Sequence, residues 1–224
     1  MPKGWLSILS EQVRSTKSRP YQMRRRAELV DETRQRITEA AIRLHTTVGP
    51  ANTSISTVAE EAGVTRLTVY RHFPDLEHLF AACRGHWFVL HPPPDATAWL
   101  AIPDLGDRAR RAFADLYGWY SQNADALYPI NRDATAMPRE AQKAQRAASA
   151  ANAAAIVAAH APDGPGGHTL RAVAGHLVGY WTWRSFVVEQ GLTNDEAIAL
   201  AVSILTKTTS ATRPPRSSRS QPEA

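Results

Sequence analysis

Several features that mark other classes of protein are rare or missing in these 224 residues. Cys83 is the single cysteine, so the chain forms no internal disulfide and a reducing compartment is expected. We interpret its thiol as a small buried apolar group. No apolar run reaches the roughly 18 residues that a membrane helix needs, and the start of the sequence lacks the apolar stretch of a secretory signal. We therefore expect a soluble, cytoplasmic protein with no membrane partner.

The motifs of common enzymes are missing as well. The sequence has no G-x-x-x-x-G-K-[ST] phosphate-binding loop, no G-x-S-x-G nucleophile turn and no H-E-x-x-H zinc pair. Cys83, His86 and His91 are close in sequence, but they lack a further partner and His91 is followed by three prolines. We predict that the protein is not an enzyme and binds no metal and no cofactor.

Signals for β-structure are missing, and helical periodicity is present instead. There is no sustained polar–apolar alternation and no Asn-Gly or Asp-Gly hairpin between apolar runs. Apolar residues recur at steps of three, four or seven, which predicts an all-α fold. On the first helix these residues are Val30, Ile37, Ala40, Ala41, Leu44 and Val48. The predicted helices span about 30–48, 54–62, 65–73, 75–90, 107–122, 125–135, 138–160, 168–190 and 194–208.

Positive charge is concentrated at the two ends of the chain. Residues 1–30 carry 7 Lys/Arg against 2 Asp/Glu and residues 209–224 carry 3 against 1, whereas residues 31–80 carry 5 against 7. We expect residues 1–28 to be a flexible basic segment and residues 209–224 to be a disordered tail. Basic, flexible ends suit nucleic-acid contact, but they suit solvated tails equally well.

The stretch AGVTRLTVYRHFPD, residues 62–75, holds many hydrogen-bonding side chains for so short a segment. Gly63 ends one predicted helix in the conformation that glycine adopts most easily. Val64, Val69 and Phe73 give the next helix an apolar face that packs on its own domain. The remaining face is polar. A helix that lies in the major groove of DNA needs this division of faces, because one side must pack and the other must read base edges.

The longer stretch STVAEEAGVTRLTVYRHFPD resembles the N-terminal domain of the TetR (TetR/AcrR) family of one-component regulators. The resemblance covers about residues 30–79 and rests on an apolar–Ala–x–x–Ala–Gly–Val run followed by Tyr–x–x–Phe. Here these positions are Val58, Ala59, Ala62, Gly63, Val64, Tyr70 and Phe73. The resemblance implies a helix-turn-helix DNA-binding domain over residues 29–75, with the motif itself at about 54–73. A larger helical ligand-binding and dimerisation domain would follow over residues 76–208.

The resemblance also implies which side chains contact DNA. They are Ser54, Ser56, Thr57, Thr65, Arg66, Leu67, Thr68, Tyr70, Arg71 and His72. Arg66 is the best candidate for a bidentate contact to guanine, and Tyr70 for a phosphate. Charge alone favours the interpretation of Arg66 and Arg71 as ordinary solvated helix residues. The family often has a lysine near the start of the fourth helix, where this sequence has Asp75 and Leu76.

Aromatic residues in the second region suggest a ligand pocket. They cluster in DLYGWY and GYWTWRSF, and pockets are mostly apolar with a few orienting polar groups. The predicted ligand contacts are Trp87, Phe113, Tyr117, Tyr120, Tyr128, Arg132, His176, Tyr180 and Arg184. Packing inside the helix bundle is the alternative for each of them. The predicted homodimer interface consists of Gly175, Gly179, Trp183, Val187, Ile198 and Val202.

Together these implications predict a dimeric repressor that a small, largely apolar ligand releases from a pseudo-palindromic double-stranded DNA operator. Its half-sites would lie about one helical turn apart, roughly 34–36 Å, or a multiple of this. One alternative is an architectural DNA-binding protein without a ligand, whose affinity would collapse on deletion of residues 1–28 and 212–224. The other is a small-molecule binding or modifying protein whose N-terminal helices are only structural. Changing Arg66 to Ala would leave the activity of that protein untouched.

Overall fold

The helical periodicity corresponds to ten α-helices in the described part of the chain. The computed structural model describes the backbone of residues 5–161 and 163–211, and the side chains of residues 21–161 and 163–209. No strand occurs in those ranges, as the sequence predicts. The helices are α1 (Trp5–Thr47), α2 (Ile55–Glu61), α3 (Arg66–His72), α4 (Leu76–Leu90), α5 (Leu105–Gln122), α6 (Ala124–Arg132), α7 (Arg139–Val157), α8 (Pro165–Leu177), α9 (Tyr180–Arg184) and α10 (Asn194–Ala211).

Helix α1 begins much earlier than its apolar pattern predicts. The periodicity indicates a start near Val30, whereas the helix runs from Trp5. Residues 21–32 are all exposed, so this part of the helix has no buried face that a pattern of apolar residues would reveal. Val30 and Val48 are predicted on the apolar face, but they are 47% and 45% exposed. The buried stripe starts only at Ile37.

The predicted end segments overlap with helices. Helix α10 continues to Ala211, so it includes the first residues of the tail predicted over residues 209–224. Residues 212–224 lie outside the described residues. The flexibility predicted for residues 1–28 and the exact domain boundaries stay predictions, because helix bounds do not test them.

A small hydrophobic core forms the head, which we define as α2, α3, the C-terminal part of α1 and the first half of α4. Its buried side chains are Ile37, Ala40, Ala41, Val58, Ala59, Ala62, Val69, Phe73, Leu79 and Cys83. Burial raises the pKa of the Cys83 thiol to about 12. Its sulfur donates weakly to the carbonyl of Thr38 at 3.7 Å. Cys83 is thus a protonated core residue, as the sequence predicts.

A larger core lies among α5, α7, α8, α9 and α10 and the short 3₁₀ helix Ala96–Ala101. Its largest fully buried side chains are Trp99, Phe113, Tyr117, Ile156, Leu170, Leu177, Trp183 and Leu205. Arg108 is buried at its edge and is satisfied by two carbonyls. Its Nε donates to Ile102 and its Nη1 to Ala158, both at 2.7 Å. Helix α5 packs along α10 and also contacts α6, α7 and α9, so it lies at the centre of this unit.

The helix predicted over residues 168–190 is interrupted. Helix α8 ends, α9 begins three residues later, and a π-helical turn follows it. The last carbonyls of a helix lack intrahelical partners. Here Tyr117 and Tyr120 supply partners, because their hydroxyls donate to the carbonyls of Leu177 and Val178 at 2.8 Å each. The tyrosines of α5 thus stabilise the break, which local periodicity does not reveal.

The two units are joined by α4 and by a contact between α1 and α6. At the end of α6, Arg132 Nε pairs with Asp133 Oδ1 at 2.7 Å, and Arg132 Nη2 donates to the carbonyl of Val48 at 2.9 Å. Asp133 Oδ2 accepts from the backbone N–H of Ala51 at 3.1 Å. The hydrogen bond from Arg132 lowers the pKa of Asp133, so this carboxylate stays charged. We call this set of contacts the α6 clamp.

Gly49 lies in the loop that the α6 clamp holds. Its φ is +94°, a conformation that side-chain-bearing residues rarely adopt. A Cβ atom at this position would also collide with the Asp133 carboxylate and the Arg132 guanidinium. The close approach of loop and clamp therefore requires glycine at this position.

His45 lies at the end of α1 between the two units. Its side chain is 6% exposed and stacks on Phe80, with 4.4 Å between the ring centroids. Burial lowers its pKa from 6.5 to about 4. Between these values the unfolded chain binds a proton that the folded chain does not bind. The free energy of unfolding therefore falls as the pH drops from 6.5 towards 4.

We expect His45 to make the free energy of unfolding about 2 kcal/mol lower at pH 5 than at pH 7.5. Urea denaturation of the wild type and of His45→Gln at both pH values measures this effect. The difference between the two pH responses isolates His45, because the other titrating groups are common to both proteins. Equal pH responses would contradict the assignment.

Candidate nucleic-acid interface and adjoining cavity

Side-chain caps set the start of α2 and of α3. Ser54 Oγ accepts from the N–H of Thr57 at 3.1 Å, and Thr57 Oγ1 accepts from the N–H of Ser54 at 2.9 Å. Thr65 Oγ1 accepts from the N–H of Thr68 at 3.2 Å. These four residues are predicted to bind DNA. Their hydroxyl groups already fix the helix ends. Thr57 Oγ1 also donates to the carbonyl of Ser54 at 2.8 Å, and the hydroxyls of Thr65 and Thr68 bond to each other at 2.9 Å.

The turn between α2 and α3 is a Schellman motif. Gly63 has a φ of +64° and donates its N–H to the carbonyl of Glu60 at 3.0 Å. The N–H of Val64 donates to the carbonyl of Ala59 at 2.9 Å. This pair of bonds closes α2 and redirects the chain into α3. The predicted helix-turn-helix geometry is therefore built by the glycine that the sequence singles out.

One face of α3 is fixed to the head. Val69 and Phe73 are 0% and 1% exposed. The guanidinium of Arg34, on α1, lies 4.2 Å from the centroid of the Phe73 ring. Arg34 also donates from Nη1 to the carbonyl of His72 at 2.6 Å. These contacts set the rotation of α3 about its own axis, and hence the side chains that it presents outward.

The opposite face of α3 is exposed. Arg66, Leu67, Tyr70 and Arg71 are all exposed, Leu67 by 70% and Tyr70 by 45%. Residues three and four apart are neighbours on a helix, so these side chains share one surface. Ser54, Ser56, Thr57 and Thr65 are also exposed, and Thr68 is partly buried. The surface offers two guanidinium groups, a phenol, several hydroxyls and one apolar side chain.

His72 and the start of α4 add little positive charge to this surface. Burial lowers the pKa of the partly buried His72, and the neighbouring Arg34 and Arg71 lower it further. Asp75 caps α4, where its Oδ1 accepts from the N–H of His78 at 2.9 Å. Leu76 is 49% exposed beside it. The basic position that the resemblance leads one to expect is thus occupied by an acidic cap and an apolar side chain.

A cavity of about 530 Å³ lies between the head and the larger core. Its walls come from the C-terminal end of α1 and from α4, α5, α6 and α7. Most of the side chains that line it are apolar or aromatic, including Phe80, Trp87, Phe88, Trp119 and Met137. A cavity of this size and lining suits a drug-sized organic molecule.

Only part of the predicted ligand set borders this cavity. Trp87, Tyr120 and Tyr180 line it. The other six do not line it. Phe113 and Tyr117 are in the larger core, and Arg132 is in the α6 clamp. His176 is exposed on α8, while Tyr128 and Arg184 pair on the surface, with 4.3 Å between the guanidinium and the ring centroid.

Sequence reasoning missed several residues that line the cavity, among them Ile42, His45, Phe80, Met137, Gln145 and Asn152. They lie on α1, on α4, on α7 and in the segment just before α7, and the domain bounds predicted from the sequence place α1 wholly in the DNA-binding domain. Only the three-dimensional packing of α4 against α1 and against α7 brings them together. No local pattern identifies them.

The residues predicted to form the dimer interface differ in how deeply they are buried within the chain. Trp183, Ile198 and Val202 are 1%, 8% and 7% exposed within the chain's own core. Their side chains are mostly taken up by contacts within the chain, and the dimer interface stays a prediction. Helical periodicity marks the apolar stripe of α10 but does not show that this stripe faces inward. Gly175 is exposed, and Gly179 and Val187 are partly buried.

Two further features of the described residues bear on the class of protein. None of the described helices is both long and apolar enough to cross a membrane. Within the same residues, no group of three His, Cys, Asp or Glu side chains is arranged to hold a metal ion. The ring of His91, considered above as a metal ligand, stacks on Trp87 with 3.8 Å between the ring centroids.

Comparison with known proteins agrees with the geometry of the head. Residues 37–83 match the family described as bacterial regulatory proteins, tetR family. The HTH-type transcriptional regulator AcrR of Shigella flexneri is 46% identical over 50 residues, which is 22% of this chain and 23% of that protein. The chain thus matches less than a quarter of the length of that relative.

Solved structures resemble the chain over a larger part of its length. The crystal structure of a tetR-family transcriptional regulator from Streptomyces coelicolor has a TM-score of 0.56 and 19% identity, and the match covers 81% of this chain and 82% of that one. This likeness shows the fold. The multidrug binding protein EbrR, crystallised with imidazole, has a TM-score of 0.49 and 25% identity over 78% of this chain and 93% of that one.

The match over the head and the arrangement of α1, α2 and α3 lead to one assignment. Residues 37–83 are similar to the DNA-binding helix-turn-helix domain of the tetR family of bacterial regulatory proteins.

Proposed function

We propose that the protein is a dimeric transcriptional repressor that a small, largely apolar molecule releases from a pseudo-palindromic operator. The observation that carries the proposal is the exposed face of α3. Arg66 and Arg71 supply donors for base edges and phosphates, and Leu67 supplies an apolar contact for a thymine methyl group. Val69 and Phe73 pack the opposite face of the helix against the head, so these groups are already positioned in the absence of DNA.

The cavity supports ligand control over a purely architectural role. It is bounded by α1 and α4 of the head and by α5, α6 and α7. A molecule that fills it therefore contacts both units at once. Such a ligand shifts the relative placement of the units only if it binds one placement better than another. The position of the cavity between the two units supports this mechanism.

The α6 clamp supports transmission to the DNA-binding surface. Arg132 and Asp133 hold the loop between α1 and α2, and Ser54 at the end of that loop caps α2. A displacement of α6 is thus passed to the helix that precedes α3. Two heads moved in this way would lose the spacing of about one helical turn that paired half-sites require.

A homodimer is proposed on the outward side of α8 and α10. Leu200 and Ile204 are 41% and 37% exposed on one side of α10, while Gly175 is exposed on α8. An isologous interface needs a self-complementary apolar patch of this kind. These residues replace the buried Trp183 and Ile198 as the proposed contact.

Arg66→Ala is expected to weaken operator binding by about 1–3 kcal/mol and to relax the base preference at one position. The operator is first selected from a random DNA pool, and fluorescence anisotropy then measures the affinity of each variant. Arg110→Ala, an exposed arginine of α5, removes the same charge far from α3 and serves as the matched control. If no palindromic sequence is enriched, the proposed function fails.

Leu200→Glu combined with Ile204→Glu is expected to convert the dimer into a monomer, because each interface would then bury repelling carboxylates. Sedimentation velocity measures the mass. Affinity for the full operator should fall, while affinity for an isolated half-site should not change. Val89→Glu is the control, since Val89 is 78% exposed on α4. A double variant that remains dimeric would place the interface elsewhere.

A further inference from the structure

Helix α1 extends well beyond the head. Just after its last turn, the carbonyl of Val48 accepts from Arg132 of the α6 clamp, so this end lies at the unit that contains the larger core. About 20 Å earlier along the chain, Arg34 donates to the carbonyl of His72 at the end of α3. Residues 21–32 precede Arg34 and therefore project past α3, on the side of the head that is remote from the larger core. They span about 18 Å.

This projecting segment has no packing partner among the described residues. Residues 21–32 are all exposed, and none of them takes part in either hydrophobic core. Tertiary packing of one face supplies most of the stability of helices in proteins, and a short helix alone in water is marginal. A segment that continues α1 without such packing is therefore a surface that gains stability when a partner covers it.

Charged side chains are sorted between two adjacent sides of this part of α1. Residues three and four apart share a helix face, and one such face carries arginine and no acidic residue. Its members are Gln22, Arg25, Arg26, Leu29, Thr33 and Arg36, and we call it the arginine face. The acidic Glu28, Asp31 and Glu32 lie on the adjacent side. Arg24 belongs to that side, because its Nε pairs with Glu28 Oε1 at 3.1 Å.

Charge and position both favour DNA as the partner of the arginine face. Burial lowers the pKa of His72, and the neighbouring Arg34 and Arg71 lower it further, so two cations flank the end of α3 from which the segment projects. The major groove is about 8.5 Å deep, and the phosphate backbones form its edges. A segment that projects about 18 Å past a helix in this groove runs beside one of these edges. Residues 31–80 are net acidic, so the arginine face supplies cations that the head lacks.

We propose that the arginine face of α1 is a second DNA-binding element, which contacts phosphates beside the base pairs that α3 reads. The proposal rests on the proposed function and adds residues outside the helix-turn-helix to it. Phosphate contacts position a protein on the duplex but carry no sequence information. The arginine face therefore raises affinity without changing the preferred bases. Because α1 is continuous from Arg26 into the head, these contacts are held in a fixed place relative to α3.

The salt dependence of operator affinity tests the phosphate contacts. Fluorescence anisotropy measures the affinity for the selected operator between about 50 and 200 mM salt, and each phosphate contact contributes about 0.9 to the slope of log affinity against log salt. Arg25→Gln combined with Arg26→Gln should therefore lower the slope by about 1.8. Arg24→Gln, on the acidic side, should keep the wild-type slope. Arg110→Gln combined with Arg146→Gln is the matched double control, since both arginines are exposed on other helices.

A break in the helix tests whether the arginine face has to be fixed. Ala27→Pro keeps every charge, but it removes a helical hydrogen bond between Arg26 and the head and interrupts α1. It should lower the salt slope about as much as the double arginine variant does. Ala27→Ser, at the same exposed position, preserves the helix and should keep the slope. A wild-type slope for Ala27→Pro would overturn the proposal, because a flexible basic tail would then serve equally well.

Hydroxyl-radical footprinting locates the contacts on the operator. The wild type should protect sugars beside each half-site that stay open to cleavage with the Arg25 and Arg26 double variant. Protection of the half-site itself, where α3 binds, should be the same for both proteins. Identical footprints would overturn the proposed contact.

The remaining outcomes separate this inference from the proposed function. If the double variant binds the operator with an unchanged slope, the inference fails and the proposed function stands. A changed base preference would contradict a phosphate contact, and a loss of dimer mass in sedimentation velocity would assign the arginine face to a second copy of the chain. Either result overturns the inference. If the wild type itself enriches no operator, the proposed function fails and this inference fails with it.

Discussion

The packing of the last turns of α1 on two partners is the constraint on which the rest of the structure depends. Ile37, Ala40 and Ala41 fill the core of the head, while His45 closes the cavity beside Phe80. The loop that follows is held by the α6 clamp. Since α2 and α3 pack on the same helix, the position of the DNA-binding surface is tied to the second unit through these few turns. A regulator requires a connection of this kind between its two sites.

The charged groups of the α6 clamp and the uncharged groups of the cavity have different roles in connecting the head to the second unit. Asp133 is 8% exposed and is stabilised by Arg132 and by a backbone N–H, so the clamp has a defined geometry. The cavity contains aromatic rings and neutral donors, which accommodate ligands of differing shape at small cost. The contacts with a fixed geometry therefore lie in the α6 clamp, whereas the apolar surface that accommodates different ligand shapes lines the cavity, where the ligand is proposed to bind.

The sequence predicts the helix-turn-helix well, because its signals are local. Gly63 marks the turn, Ser54 and Thr65 mark the caps, and the buried positions of α3 follow the predicted face. The cavity is predicted poorly, because its lining combines α1 with helices that follow much later in sequence. The break after α8 depends on the Tyr117 and Tyr120 hydroxyls, and the inward orientation of the α10 stripe depends on α5. In both cases the residues that determine the structure are far in sequence from the residues whose structure they determine.

The net charge of the head affects how strongly one head alone binds DNA, and therefore how much affinity the dimer has to add. Residues 31–80 carry more acidic than basic side chains, and a partly buried His72 with a lowered pKa adds no compensating positive charge at neutral pH. Few phosphates would then be neutralised by each head, so counterion release would contribute little to affinity. Under the proposed function, a single head binds weakly and depends on base contacts from α3. Joining two such heads raises the effective concentration of the second, which makes their spacing decisive for affinity.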